Sequence, residues 1–136
     1  MNPILLDTHA AIWSAEGTLA GAVARTIDAA ADREELLLSP ISAWEIGMLV
    51  RKGRLALAPS LHDYVRALFA QPGVVTALLT PAIAAASTAL PAGFPADPAD
   101  CLLIATASAY GASLVTRDRK IRDYARTTKH LRCIAC

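Results

Sequence analysis

Between residues 67 and 96 the chain carries no charged side chain. That absence does not make a membrane span. Pro72, Gly73, Pro81, Pro91, Gly93 and Pro95 break the stretch into pieces well short of the roughly 20 apolar residues that a bilayer-crossing helix needs. It reads instead as a buried strand, an alanine-rich helix and a loop. The opening MNPILLDTH lacks a basic segment and has only a short apolar run, which excludes a signal peptide. Cysteine is scarce: Cys101, Cys133 and Cys136 are too few for a disulfide framework. Cys133-x-x-Cys136 has no second pair to complete a zinc site. The three read as reduced thiols of a cytoplasmic protein. Charged residues are few overall, 18% against 54% hydrophobic, which excludes disorder. No repeat or linker appears, and 136 residues suit one domain spanning 1–136 with a real core.

The net charge of +1 hides an asymmetry. Residues 117–136 hold seven basic and two acidic residues, a net +5; the remainder holds six basic and ten acidic, a net −4. A basic end beside an acidic body suits a polyanion approaching an acidic metal site, although a solvated last helix explains the basic end equally well.

Apolar runs at 3–6, 36–38, 74–79 and 113–115 predict strands, with a last edge strand at 131–134. Helical pattern fills 8–15, 19–33, 40–52, the segment from Ser60 to about 70, 81–90, 98–110 and 118–125. Three helices announce themselves by a capping residue followed by proline: Ser39-Pro40, Thr80-Pro81 and Asp97-Pro98. Gly53 and Gly111 are stop signals. Strands alternating with helices imply an α/β fold around a parallel sheet.

The carboxylates carry the chemistry. Ligands of open α/β sheets bind beyond the carboxyl ends of the strands. Asp7 ends the first strand and Asp118 follows the fourth by three residues. Glu45 shares a helix face with Ile41, Met48 and Leu49, and Asp100 shares one with Leu103, Ile104 and Ala107. An acid in an apolar stripe is costly unless a cation compensates. Oxygen ligands with open water positions suit Mg2+ or Mn2+. Each acid has a simpler reading. Asp7 and Asp118 suit helix caps, Asp97 is the cap of its helix, and Asp100 at the third helical position favours the helix dipole. Glu45 caps nothing. The coincidence of four points to a metal site. His9 reads as a partly buried structural histidine, His62 and His130 as surface residues, and Trp13 and Trp44 as core.

LLDTHAAIW at 5–13, SAWEIGMLVRKGRL at 42–55, DPADCLLIATA at 97–107 and LVTRD at 114–118 together resemble the PIN-domain ribonucleases, specifically the VapC-type toxins of bacterial toxin–antitoxin pairs. The resemblance covers nearly the whole chain. It implies a five-stranded parallel sheet ordered 3-2-1-4-5 with helices on both faces. The family's four acids fall on Asp7, Glu45, Asp100 and Asp118. Thr8 and Thr116 match positions that support the acids or a water at the metal, and Asp97 matches an extra acid found in a subgroup. Cys101 stands where that subgroup usually has arginine, and the CIAC end departs from the usual aromatic-ended tail. The resemblance further implies an Mg2+-dependent (or Mn2+-dependent) endoribonuclease, a homodimer, and a VapB-type antitoxin that inserts a segment at the active site.

Phosphodiester hydrolysis needs a nucleophile, and no serine or cysteine here has a paired base. A carboxylate-held metal and an activated water fill that role, with Asp7, Asp100 and Asp118 holding the ion and Glu45 sharing a ligand or orienting the water. Arg117, Arg119, Lys120 and Arg122 are candidate contacts to the RNA backbone. A phosphotransfer or receiver domain would need an acid ending the third strand, which here ends in Leu79-Thr80. A dehalogenase-like phosphatase would need Asp-x-Asp, and Thr8-His9 follows Asp7. A catalytically dead binding module is the remaining rival, and the presence of all four acids argues against it.

Overall fold

The computed structural model describes residues 2–91 and 97–136. The chain begins with β1 (Ile4–Leu6), α1 (Thr8–Glu16) and α2 (Gly21–Asp32), followed by β2 (Leu36–Leu38), α3 (Pro40–Arg51) and α4 (Leu61–Phe69). Then come β3 (Val74–Thr76), α5 (Pro81–Ala86), α6 (Pro98–Tyr110), β4 (Ser113–Thr116), α7 (Arg119–Thr128) and β5 (Arg132–Ala135). All strand pairs are parallel, in the order β3-β2-β1-β4-β5. This is the order that the resemblance implied.

The strands alternate between two cores, as a period of two requires. Ile4, Leu6, Leu36, Leu38 and Val115 pack against α1, α2, α3 and α4 on one face. Leu5, Leu37 and Leu114 pack against α6 and α7 on the other. Central strands buried on both faces must be continuously apolar, so β1 and β2 read ILL and LLL. β3 departs from the sequence reading. It ends after Thr76 rather than at residue 79, and its outer residues are exposed, because it sits at the edge of the sheet with one neighbour only.

Capping signals set the helix starts. Ser39 Oγ accepts from the Ile41 N–H, Thr80 Oγ1 from the Ile83 N–H, and Asp97 Oδ1 from the N–H groups of Ala99 and Asp100. α5 is shorter than the sequence reading to residue 90. The Ser87 and Thr88 hydroxyls donate back to the carbonyls of Ala84 and Ala85, which competes with the helix ladder. The loop reading for 91–98 falls largely on residues 92–96, outside the described residues. Among the described residues, no helix is long and apolar enough to cross a membrane.

Cys133 and Cys136 lie three residues apart along or just beyond β5 and pack into opposite cores. An extended strand puts them about 10 Å apart, too far for a disulfide or a shared ion. Among the described residues all three cysteines are free thiols.

Candidate active site

β1 and β4 are neighbours, with Leu6 in register with Val115. The chain leaves both strands at the same edge of the sheet. The Asp7 N–H donates to the Val115 carbonyl at 3.1 Å, which puts Asp7 beside the end of β4. A cavity of about 350 Å3 opens there, lined by Asp7, Glu45, Asp97, Asp100 and Asp118. The four sequence-predicted acids and Asp97 therefore meet in one place.

Three of the five acids are also helix caps, so the structural and chemical readings coexist. Asp7 Oδ1 accepts from the Ala10 N–H at 2.8 Å, and Asp118 Oδ1 from the Ile121 N–H at 3.2 Å. Each cap recorded here uses one carboxylate oxygen. The N-termini of α1, α6 and α7 thus gather around the acids, and their partial positive charge favours anions there.

Two threonines fix the acids. The Thr8 hydroxyl donates to Glu45 Oε1 at 2.5 Å and lies 3.0 Å from the fully buried Ser42 hydroxyl. Thr116 hydrogen-bonds the Asp7 side chain, and its Oγ1 accepts from the Asp118 N–H at 3.0 Å. Thr116 therefore ties together the acids that follow β1 and β4.

The electrostatics of the cavity are strained in the absence of a counter-charge. Burial raises the Asp7 pKa from its ordinary value, against the hydrogen bonds from Thr116 and Ala10. Burial also raises Glu45, opposed by Thr8 and reinforced by Asp97 and Asp7. Asp100 is pushed up to about 7 by burial and then by Asp97, Asp118, Glu45 and Asp7. Like charges crowding a half-buried carboxyl have this effect.

A hard cation would relieve that repulsion, and the donor set of carboxylate oxygens fits one. The acids do not form the closed cage that four ligands would suggest. Among the described residues, no three His, Cys, Asp or Glu groups converge to hold an ion by themselves. The arrangement suits a hard divalent ion that keeps several waters and takes one or two carboxylates directly.

The PIN domain pattern matches residues 4–127. The chain belongs to the PIN-domain family, among its VapC-type members. It is 40% identical to the ribonuclease VapC22 of Mycobacterium tuberculosis over 126 residues, 91% of this chain and 93% of that one. Its fold is similar to that in the crystal structure of VapBC2 from Rickettsia felis bound to a promoter DNA fragment (TM-score 0.70, 14% identity, 97% of each chain). It is also similar to that in DNA-bound VapBC from Salmonella typhimurium (TM-score 0.68, 18% identity, 99% of this chain and 98% of that one).

Several residues of this PIN domain sit elsewhere than the sequence suggested. Trp13 is not core: it is half-buried and lines the acid cavity with His9, which is exposed rather than structural. Trp44 is 58% exposed and walls a neighbouring groove of about 340 Å3 with Met48, Leu49, Lys52 and Arg54. That groove shares Thr8, His9, Glu45 and Asp97 with the acid cavity. Of the four candidate RNA contacts, Arg117 alone lines the acid cavity. Arg119 and Lys120 are exposed on the first turn of α7. Arg122 is half-buried and lines a separate cavity with Cys133. Cys101 is half-buried outside the acid cavity, its thiol pKa raised by burial and by the nearby Asp100 and Asp97.

Proposed function

We propose that this PIN domain is an Mg2+-dependent endoribonuclease, the toxin of a toxin–antitoxin pair, and that Asp7, Glu45, Asp100 and Asp118 are its catalytic acids. The observation that carries the reading is Asp100, whose carboxyl is pushed up to about 7 by burial and by four neighbouring acids in one cavity. Helix capping accounts for Asp7, Asp97 and Asp118 but not for crowding five opposed carboxylates into one cavity, which a cation would relieve. The ribonuclease name of the 40%-identical relative supports the same activity.

A divalent ion, when bound, supplies positive charge against the scissile phosphate and lowers the pKa of a water. Asp7, Asp100 and Asp118 would hold it, directly or through water. Glu45, fixed by Thr8, orients the attacking water and takes up its proton. Thr116 keeps Asp7 and Asp118 at a set separation. Arg117 at the cavity edge pairs with a backbone phosphate, a contact blind to sequence. Mn2+ fits the same oxygen donors.

The partner reading rests on the groove beside the acids. Trp44, Met48 and Leu49 offer apolar anchorage, and Lys52 and Arg54 offer charge, to a peptide whose basic side chain reaches the acids. That similar folds were solved as VapBC complexes supports a VapB-type antitoxin as the partner. The protein would act in the cytoplasm as a homodimer.

The test is cleavage of single-stranded RNA by the purified chain. Mg2+ should support cleavage, and EDTA should stop it. Expressed alone in a bacterium, the chain should arrest growth. Full cleavage in excess EDTA overturns the metal reading, and unimpaired growth with soluble active protein overturns the toxin reading.

A further inference from the structure

His9 and Trp13 lie four residues apart on α1, so both project from one face of the helix. Their ring centroids are 5.5 Å apart and their planes tilt by 42°. Arg117, from the turn after β4, lies over the Trp13 ring with its guanidinium carbon 4.1 Å from the ring centroid. All three residues line the acid cavity. The Arg117 Nε donates to the Cys136 carbonyl at 2.9 Å, and the Cys136 N–H donates to the Thr116 carbonyl at 3.3 Å. Cys136 therefore helps to hold the guanidinium over the indole. No other hydrogen bond or ion pair to Arg117 is recorded among the described residues, and its side chain is exposed.

Two restraints on one exposed arginine are more than a surface charge needs. A guanidinium held over an indole makes one cationic and aromatic surface at the edge of the acid cavity. Guanidinium planes and aromatic rings are the surfaces on which unpaired bases stack.

We propose that Arg117, backed by Trp13, is a stacking platform for one unpaired RNA base adjacent to the phosphate being cut. The proposal rests on the ribonuclease reading for its substrate class. The face of the guanidinium takes the base and its N–H edge takes the phosphate. Trp13 is a positioning residue that holds the plane of Arg117, and His9 extends the apolar shelf beside it. The platform selects single-stranded over paired RNA, because a base inside a duplex cannot lie on it.

The test separates base from backbone. Two RNA hexamers are compared, one intact and one with every base replaced by an abasic ribose, so that both carry the same phosphates. Binding is measured with Mg2+ in the full chain carrying Asp100→Asn and Trp44→Phe, which leaves Trp13 as the one indole. Gel analysis checks that the oligomers stay whole. The intact hexamer should quench Trp13 fluorescence and bind about tenfold tighter than the abasic one, the usual worth of a stacked base. Trp13→Ala, read by an equilibrium method with a label on the RNA, should erase that preference while leaving abasic binding within twofold. Arg117→Lys, which keeps the charge and loses the plane, should erase the preference as well. Trp13→Phe should retain most of the preference and guards against a folding artefact in Trp13→Ala.

Equal binding of the two hexamers by the parent, or no binding of either, overturns the proposal. So does a folded Trp13→Ala or Arg117→Lys that keeps the preference; Arg117 is then only a latch for Cys136. RNA cleavage by the unsubstituted chain is scored separately. Base preference without cleavage leaves the platform standing and removes the ribonuclease reading; cleavage without base preference does the reverse.

Discussion

α6 borders two cavities of about 350 Å3 each, at opposite ends of the helix and of opposite chemistry. Its first turn brings Asp97 and Asp100 to the acid cavity. Its second half brings Ala105, Ser108 and Ala109 to a groove lined chiefly by alanines, with Ile83 and Leu90 from α5 and the residues after it. The two hollows are matched in volume, so size does not mark the site. The difference is what the fold had to do to make each one. The alanine groove costs little, since small side chains between two packed helices leave such space by default. The acid cavity requires three helix N-termini, two buried threonines and five carboxylates whose charges oppose one another. Arrangements that cost stability persist where they serve chemistry.

The largest effect expected from that contrast is on activity. Asp100→Asn should lower RNA cleavage by about a thousandfold or more, the scale on which loss of an ion's ligand acts. Circular dichroism should show an unchanged fold. Asp7→Asn should behave alike. Retained cleavage by a folded Asp100→Asn would make the acid cavity as idle as the alanine groove.

Thr8→Val should act next most strongly. The change keeps the shape of a buried side chain and removes the donor to Glu45. Glu45 then loses the hydrogen bond that opposes its desolvation, so its pKa rises further. The turnover rate should fall about 10- to 100-fold, the usual cost of losing an orienting partner. The acid limb of the pH–rate profile should move toward higher pH. An unmoved profile would mean that Glu45 is held by something else.

Stability should respond more gently. Burial and the neighbouring acids push the Asp100 carboxyl up to about 7 in the folded chain, from 3.8 for the free group. The folded state therefore binds this proton more tightly than the unfolded one. The resulting stability is complete below the unfolded value and is lost as pH rises through 7. For the metal-free protein this is about 1–2 kcal/mol once solvent screening of a half-exposed group is allowed for. Thermal melts in EDTA should fall by a few degrees between pH 5 and pH 8. Asp100→Asn should flatten the curve, and Mg2+ should restore the loss at pH 8. A melting temperature that climbs over this range would break the electrostatic account.

Sequence signals with a local cause proved legible. Ser39, Thr80 and Asp97 each cap where the following proline promised, because a cap needs only the chain around it. The apolar runs at β1 and β2 revealed central strands, and Glu45 stood out as an acid among apolar neighbours. Features that depend on distant chain segments were not legible. Trp13 faces a cavity because β4 and β5 bring Arg117 and Cys136 beside it. Hydrophobicity alone made it core. The edge position of β3 likewise depends on strand order rather than on its own VVT. Gly73 belongs with these. Its φ is +80°, and a Cβ there would lie 2.1 Å from the Ala31 carbonyl oxygen, so β3 must pass that close to the end of α2. The spacing Asp7-Thr8-His9 through Trp13 carries a local clue to this face. Residues at i+2 and i+6 from a strand-end acid share a face of the helix that the acid caps.

The smallest effect expected is at the alanine groove, and it tests whether that hollow is idle. Ala86 is exposed at the end of α5 and lines the groove. Ala86→Glu puts a long charged side chain over it. If the groove is only the space left between small side chains, the new carboxylate reaches water and costs little. The change in stability should then stay within about 0.5 kcal/mol, as for other surface substitutions. Cleavage should match the parent, because α6 keeps its N-terminal turn and Asp97 and Asp100 stay where they are. Sedimentation should give an unchanged mass. A loss of activity would show that the two ends of α6 are coupled, and a smaller mass would show that the groove is a contact between copies of the chain. Either result would end the division of α6 into one working end and one passive end.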